Sequence, residues 1–546
     1  MIYHPTIIIL TSILVLILSY RKEKLFASAS LIMPIIAAIT LYTMPTQSGF
    51  EFFNLNLVCE GTPYNKLIGF AFLLVLFSAN LYALGQKKKL ELMLGSAYAA
   101  STLCALFAGD FISMFVGIEL MMIFSAAIIF IGGRRKSLRS AKKYFLTHLM
   151  SSNMIVIGIV HIITKEESIA LIPVVDLLTS PKHSHAMIII MLTGMLINIA
   201  AFPFSGWMVN YYPKASPAGF LYLISFTTKL SIMLLIKLFT GYESLKYIAA
   251  IMIIYASIKA VFEDRLQSLL CYLSIMAMGL MLLGISHGSP LAILATVSYL
   301  FIHIIYKALL SISISSIIDH TGIKKCHDLQ RINCKLTFFA IITGIAIMIN
   351  IPILSSFYVK STISHLYEGT IFYNLTIFLT AMTIITIPWK KYLHAKESMD
   401  INLNKHASLS ILFMLIVALI VGISASTMPI IGQLDNFREL LLFSQDTLNQ
   451  GIIIIAALFV TLIYALPRKK TYPINLTEYL GDVFFYCYWR LLKNRSKEDS
   501  SKEPWMIHSL ERQITSKINA IHNQQTAIFI VFAGFVILLG ASLALS

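Results

Sequence analysis

DFISMFVGIELMMIFSAAIIFIGG, residues 110–133, is a long apolar run with a single carboxylate in its interior. It is long and apolar enough to cross the roughly 30 Å hydrocarbon layer of a bilayer as one helix, yet Glu119 lies in its interior. A carboxylate at the centre of a spanning helix costs about 2.5–3.5 kcal/mol on insertion scales. A partner, a water-filled cavity or a bound proton has to offset that cost, and which of them does so bears on function.

Working outward, runs of the same kind fill the chain. Hydrophobic residues make up 58% of it and charged residues 12%, and the mean hydropathy is +0.80. A soluble domain carries about 25% charged residues. The apolar runs are roughly 18–25 residues long, the length a spanning helix needs. The expected fold class is therefore all-α, a polytopic membrane protein. The first run, TIIILTSILVLILSY, has no basic segment before it and no small-residue cleavage site after it. It reads as a retained helix and not a signal peptide.

About sixteen spans are expected on this criterion. The early ones fall near 5–20, 25–44, 66–85, 91–109, 111–133 and 144–164. The next fall near 186–206, 217–240, 246–262, 267–286, 291–318 and 336–366, and the last near 371–389, 407–428, 450–466 and 526–545. The basic clusters RKEK (21–24), KKK (87–89), RRKSLRSAKK (134–143), KKCHDLQRINCK (324–335), KKYLHAK (390–396) and RKK (468–470) each follow an odd-numbered span. The loops between, such as 46–65 and 429–449, carry few Lys or Arg. By the positive-inside rule the odd loops are cytoplasmic and both termini lie on the outer side.

The formal net charge of +16 resides in these loops, which argues for membrane topology and against a nucleic-acid partner. Six scattered cysteines give no disulfide framework. Cys326 and Cys334, with His327 between, fit no standard zinc spacing. No metal or other cofactor is expected. Residues 467–525 differ from the rest: EYLGDVFFYCYWRLLKNR suits a membrane surface, and SKEDSSKEP is polar. They read either as a cytoplasmic linker to the last helix or as a surface helix that docks on a neighbour.

Two spans should be interrupted. NIAAFPFSGWMVNYYPKASP, residues 198–217, carries Pro203, Pro213 and Pro217, and NIPILSS, residues 350–356, carries Pro352. Proline removes a backbone donor and clashes with the preceding turn. Freed carbonyls in a membrane survive only where they are buried in protein or line a hydrated cavity. Paired interruptions often mark a transport site, the alternative for each being a plain proline kink.

Several ionisable residues lie inside apolar runs: Glu119, Lys229, Lys259, His303, Lys307 and Lys360. His303 and Lys307 are four apart, hence on one helix face. Desolvation favours the neutral form of an amine and a nearby carboxylate favours the charged form, so such groups can bind and release protons according to their neighbours. Linked by water and histidine they would form a relay. Lys259 and Lys237 lie near helix ends and could instead snorkel to the headgroups. His148 and His161, on the sixth span, read as packing residues or as an access route. The tenth span reads SIMAMG, without a titratable group in that stretch.

FVGIELMMIFSAAII, FPFSGWMVNYYPKASPAGFLYLISFTTKL, HIIYKALLSISISSIIDHTG and IPILSSFYVKSTI occur in that order. Together they resemble the antiporter-like membrane subunits shared by Mrp-type sodium/proton antiporters and respiratory complex I. The likeness is to the D subunit of the Mrp type in its alphaproteobacterial forms, over about residues 65–390. The resemblance implies two inverted five-helix repeats, each with a broken helix. It divides the chain into N-terminal helices (1–110), a first repeat (111–240, broken near 203–217) and a second repeat (246–390, broken near 350–356). C-terminal helices (391–466), the segment 467–525 and a final helix (526–546) follow.

By the same resemblance Glu119 matches the acid of the first half. Lys229 matches the lysine after SPAG, Lys307 with His303 the HxxxKALL lysine, and Lys360 the lysine beyond the second break. One position departs: many members carry lysine five residues before the PF proline, where this chain has Asn198. The alphaproteobacterial forms it resembles share that asparagine. Glu119 thus lacks its usual partner, and Lys229 is left as the candidate to hold it.

The resulting expectation is a proton-translocating subunit of a multisubunit Na+ or K+/proton antiporter in a bacterial cytoplasmic membrane. The relay would be Glu119, Lys229, His303, Lys307 and Lys360, with Asn198, Lys259 and His148 auxiliary and Pro203, Pro217 and Pro352 at the helix breaks. Its partners would be other membrane subunits, the lipid bilayer, protons and Na+ or K+. The alternatives are a proton-pumping membrane-arm subunit of a complex I-like or hydrogenase-like machine, and a scaffold whose proton path has lapsed. No nucleotide loop, cluster-ligating cysteine set or flavin motif is present, so no redox or hydrolytic chemistry is expected on this chain.

Overall fold

The computed structural model describes residues 5–386 except 53–54, 133–134 and 352–353, together with 399–400, 402–423, 455 and 457. The expected spans 450–466 and 526–545, the segment 467–525 and Pro352 lie outside the described residues, apart from 455 and 457. Ten helices, among the described residues, are long and apolar enough to cross a membrane.

The N-terminal helices are α1 (Pro5–Leu18), α2 (Glu23–Thr43) and α3 (Pro63–Gly85). Between α2 and α3 lies an antiparallel hairpin, β1 (Gln47–Phe52) and β2 (Leu55–Glu60), in a stretch that reads from sequence only as a loop poor in basic residues. Then come α4 (Lys89–Phe107), α5 (Phe111–Phe130), α6 (Arg135–Glu166), α7 (His185–Asn198), α8 (Gly206–Tyr211), α9 (Pro217–Ser225) and α10 (Thr227–Phe239). The next set is α11 (Leu245–Phe262), α12 (Leu266–His287), α13 (Pro290–Thr321), α14 (Lys335–Met348), α15 (Ser355–His365) and α16 (Ile371–Ile385). Helix α17 (Lys405–Ile423) closes the described part.

Local chemistry fixes the ends. Asp110 caps α5, accepting from the Ser113 amide at 2.6 Å. Its other oxygen accepts from Val58 N at 2.9 Å, which ties the hairpin to the helix. Ser216 caps α9 and Pro217 occupies the first turn, where a missing N–H costs nothing. Pro217 therefore starts a helix, and the break expected near 203–217 begins earlier, directly after Asn198. Helix α6 starts nine residues before the expected 144 because the basic stretch is itself helical. At about 1.5 Å per residue, its 32 residues exceed the bilayer core.

The helices sort into shells by burial. The spans Pro217–Phe239 and Leu266–His287 have 100% of their apolar window buried and Pro290–Thr321 has 94%, against 33–44% for α2, α5, α6, α11 and α17. Helix α13 is the hub, packed on α3, α9, α12, α14, α15 and α17. Lys229, His303 and Lys307 thus ride on the most enclosed spans.

The two interruptions are built alike. Helix α7 ends at Asn198 and α14 at Met348, and each is followed by a non-glycine residue in the left-handed region, Ala200 at φ 60° and Asn350 at φ 68°. Such residues cost of order 1–3 kcal/mol and persist where the surroundings over-determine them. The carbonyls freed by each break are taken up by protein donors. Trp207 Nε1 donates to Ile197 O at 2.8 Å, while at the second break Ser356 Oγ donates to Ile347 O.

Candidate functional site

Three buried lysines occupy the middle of the bundle, and each rests on a main-chain carbonyl. The eighth span is itself kinked at Phe226, and Lys229 Nζ donates to Ile224 O at 2.5 Å, just before the kink. Lys307 Nζ donates to Leu270 O of α12 at 3.0 Å, an oxygen that also accepts from Ser274 Oγ at 3.0 Å. Lys360 Nζ donates to Met348 O at the second break, at 2.6 Å, and lies 5.3 Å from the centre of the Tyr299 ring. Among the described residues none of the three forms an ion pair. Carbonyl dipoles, and for Lys360 an aromatic face, solvate the ammonium in place of a neutralising carboxylate.

His303 sits among them. Its Nδ1 is 2.7 Å from the Tyr306 hydroxyl, and that hydroxyl is 3.5 Å from Tyr299. Its charge interacts with Lys229, Lys307 and Lys360, and Lys229 acts in turn on Lys307. The four residues therefore form one electrostatic unit. A small cavity continues from Lys360, its lining divided between polar Asn350, Ser364, Thr376 and Thr380 and apolar Leu280, Ile377 and Leu379. Such a row can hold protons singly: a charge on one ammonium disfavours a charge on the next.

The first half differs. Asn198, buried at the break, accepts from Ser151 Oγ at 3.0 Å and lies 2.8 Å from His148 Nδ1. Glu119 is half-buried on α5, beside the exposed stripe of Val116, Leu120 and Ile123, and forms no ion pair among the described residues. Lys229, given over to Ile224 O, does not hold it. The expected Glu119–Lys229 contact is absent because α9, not α10, is the part of the eighth span that packs chiefly on α5.

Other expectations also shift. Lys237 does not snorkel: it turns inward to Ala108 O (2.8 Å), Leu106 O (3.1 Å) and the Glu60 carboxylate of the hairpin (3.4 Å). Lys259 stays half-buried near its helix end, close to Glu263. His161 Nε2 accepts from the Ser184 amide at 3.0 Å. Pro203 lies between α7 and α8, inside the first break. His327 is bonded to Asp264, with Nδ1 at 2.7 Å from a carboxylate oxygen.

Sequence reading misses several polar groups. Cys271 lies four residues before Ile275 on α12, buried and close enough to feel the charges of both Lys229 and Lys307. Tyr98, Thr227, Tyr212 and Tyr144 join hydroxyls inside the first half. Toward the basic loops, Ser216 Oγ donates to buried Glu91 at 2.5 Å, and Tyr82 donates to Asp319. Only the position of Thr227, two residues from Lys229, is a usable signal.

Comparisons with known proteins bear on the family and the fold. Residues 108–386 match the family model described as NADH:quinone oxidoreductase/Mrp antiporter, TM. The chain is 25% identical to the D subunit of the Na(+)/H(+) antiporter of Bacillus subtilis (strain 168) over 432 residues, 72% of this chain and 86% of that protein. It is 24% identical to the N subunit of the NADH-quinone oxidoreductase of Desulforudis audaxviator over 318 residues, 54% of this chain and 62% of that one. Among solved structures it is similar to a chain of the Mrp complex from Dietzia sp. DQ12-45-1b, with TM-score 0.66 and 15% identity over 83% of this chain and 99% of that one. A chain of the archaeal membrane-bound sulfane sulfur reductase gives TM-score 0.68 at 17% identity, over 98% of this chain and 99% of that one. With the matched region spanning both interruptions and all three lysines, the chain belongs to the NADH:quinone oxidoreductase/Mrp antiporter membrane family.

Proposed function

We propose that this chain is the proton-translocating subunit of a multisubunit Na+ or K+/proton antiporter of a bacterial cytoplasmic membrane. The observation that carries the reading is the row Lys229, Lys307 and Lys360, buried and each seated on a carbonyl, with His303 buried within reach of all three charges. A structural ion pair would join opposite charges; a run of like charges is useful only if protons come and go. In the reading, a proton arriving at one end raises the energy of the next ammonium and drives its proton onward. The cavity beside Lys360 supports an opening at that end.

Glu119 enters the reading at the margin of the chain, beside an apolar stripe suited to a neighbouring membrane protein of the assembly. The relatives named as antiporter subunits, and the Mrp complex among the structural neighbours, support such an assembly. The basic loops support a cytoplasmic side after odd spans, with both termini outside. The set α11–α16 has five spans with the fourth broken, whereas residues 111–240 hold four spans, and α4 has to be added to the expected first repeat for a matching set of five.

The test is proton flux driven by a Na+ or K+ gradient in vesicles carrying the whole assembly. Wild type should show it, and Lys229→Ala and Lys360→Ala should each abolish it; unchanged flux in both variants sinks the relay. A second reading, a membrane-arm subunit of a redox-driven pump, is favoured by the relatives named as N subunits of NADH-quinone oxidoreductase and by the sulfane sulfur reductase neighbour. Flux that requires an electron donor and ignores Na+ and K+ selects it. The intact lysine row speaks against a lapsed scaffold.

A further inference from the structure

The neutral Asn198 leaves the first interruption without a charge of its own, and the residue bonded to it supplies a site for one. Asn198 Oδ1 can only accept a hydrogen bond. His148 Nδ1, 2.8 Å away, must therefore carry the ring proton of the neutral imidazole. Ser151 Oγ lies 3.0 Å from the same oxygen and shares its single proton between that oxygen and Gly194 O, at 2.7 Å. This leaves Nε2 as a bare lone pair. His148 is 3% exposed, and Nε2 is buried without a hydrogen-bond partner among the described residues. A basic nitrogen oriented through the other side of its ring and left open at its own end is built to take up a proton.

The walls suit a transient cation. Tyr144 lies with its ring 4.3 Å from the imidazole and Trp207 at 4.6 Å. The elements packed on α6 bring Glu119 from α5, Asn198 from α7, Trp207 from α8, and Tyr212 and Lys214 from the turn before α9. Of these only Glu119 and Lys214 carry a full charge, and neither acts on His148, whereas His303 has three ammonium neighbours. An aromatic enclosure without nearby cations tolerates an imidazolium.

Hydroxyls cluster beside this enclosure. Tyr144 and Tyr212 share side-chain contact, with Tyr144 also donating to Ser125 Oγ at 2.9 Å. Tyr212 donates to Thr227 Oγ1 at 3.3 Å, and Thr227 is bonded to the Tyr98 hydroxyl. Thr227 opens α10, two residues before Lys229.

We infer that His148 is the protonatable group of the first half, with Asn198 as its positioning residue. Nε2 takes one proton from a hydronium ion in the path, giving the imidazolium and a water, and releases one proton from Nε2 to water, restoring the neutral Nδ1–H form. The inference rests on reading the chain as a proton conductor.

The experiment measures cation-driven proton flux of the whole assembly in vesicles for wild type, Lys360→Ala, His148→Gln, His148→Gln/Asn198→Lys and Asn198→Ser. Glutamine keeps a donor toward Asn198 but cannot hold a proton. His148→Gln should lower the flux about tenfold or more with assembly intact, and the added lysine of the double variant should restore part of it. Asn198→Ser should displace the midpoint of the flux–pH profile by about half a unit or more, which a packing role would not do. Wild-type flux in His148→Gln, with Lys360→Ala inactive, overturns the role of His148 and leaves the relay standing. No flux in the wild type overturns the relay itself. Should His148→Gln fail to assemble, the profile of Asn198→Ser decides: displaced, it supports the role; unchanged, it ends it.

Discussion

Trp207 and Ile197 meet across the first interruption, the indole Nε1 donating to the carbonyl that the end of α7 sets free, at 2.8 Å. At the second interruption the corresponding carbonyl, Ile347 O, takes a serine hydroxyl, and the next, Met348 O, takes a lysine. The same backbone problem is thus solved by a neutral group in one half and partly by a titratable one in the other. That difference separates a structural cap from a mobile charge.

Trp207→Phe should therefore act on stability. It keeps the ring against His148 and Tyr144 but leaves Ile197 O buried and unpaired, at a cost of about 1–3 kcal/mol. The expected outcome is a lower thermal midpoint for the purified assembly, with flux per folded complex retained. An unchanged midpoint would show that another donor reaches the carbonyl.

Lys360→Arg should lose flux although it keeps a cation at the second break. Guanidinium stays protonated throughout the accessible pH range, so it can occupy the carbonyl seat but cannot release a proton. A drop of about tenfold or more is expected, close to that of Lys360→Ala. Arginine working as well as lysine would mean that position 360 needs only fixed charge.

Cys271 offers a probe of the row from within. Cys271→Ala should leave flux near wild type, since the thiol is buried and serves neither lysine as a hydrogen-bond acceptor. Cys271→Asp places a carboxylate within range of the charges of both Lys229 and Lys307, and a nearby carboxylate favours the charged form of an amine. It should pin protons on both lysines and stall the flux, read in the same vesicle assay.

Lys237→Met tests a residue whose orientation the sequence misrepresents. A snorkelling lysine could be replaced at little cost, whereas loss of the donor to Leu106 O and Ala108 O leaves two carbonyls at the end of α4 short of a partner. Destabilisation of about 1–3 kcal/mol is expected, with faster proteolysis of the hairpin at residues 47–60 as the measurement. Glu60→Gln should cost less, because Glu60 is partly exposed.

These cases mark what can be read in the chain. Span limits are legible because apolar length is a property of consecutive residues: 291–318 is expected and Pro290–Thr321 is found. The lysines are legible because a charge inside such a run has no bland neighbours. Their seats are not, since Ile224 O, Leu270 O and Met348 O are backbone atoms that leave no mark on residue type. Lys237 is misjudged because its partner, Glu60, lies 177 residues away on a hairpin hidden in a featureless loop. Cys271 is overlooked because a lone thiol in LLCYLS looks like any small apolar residue until the packing of α12 sets it within range of two ammonium groups. Glu119 is assigned Lys229 by elimination, and elimination cannot see which way a kinked span turns.

Ser78 of α3 and Ser410 of α17 share a hydroxyl pair at 2.9 Å, reinforced by Ser410 Oγ donating to Ser78 O at 2.8 Å. Their separation is 332 residues. At about 5–20 residues per second on the ribosome, the groove on α3 waits on the order of tens of seconds before its partner helix exists. During that interval α3 faces lipid or the insertion machinery with a seam meant for protein. Release of the chain before residue 405 would leave that seam open, with α3 covered only by α2, α4, α9 and α13.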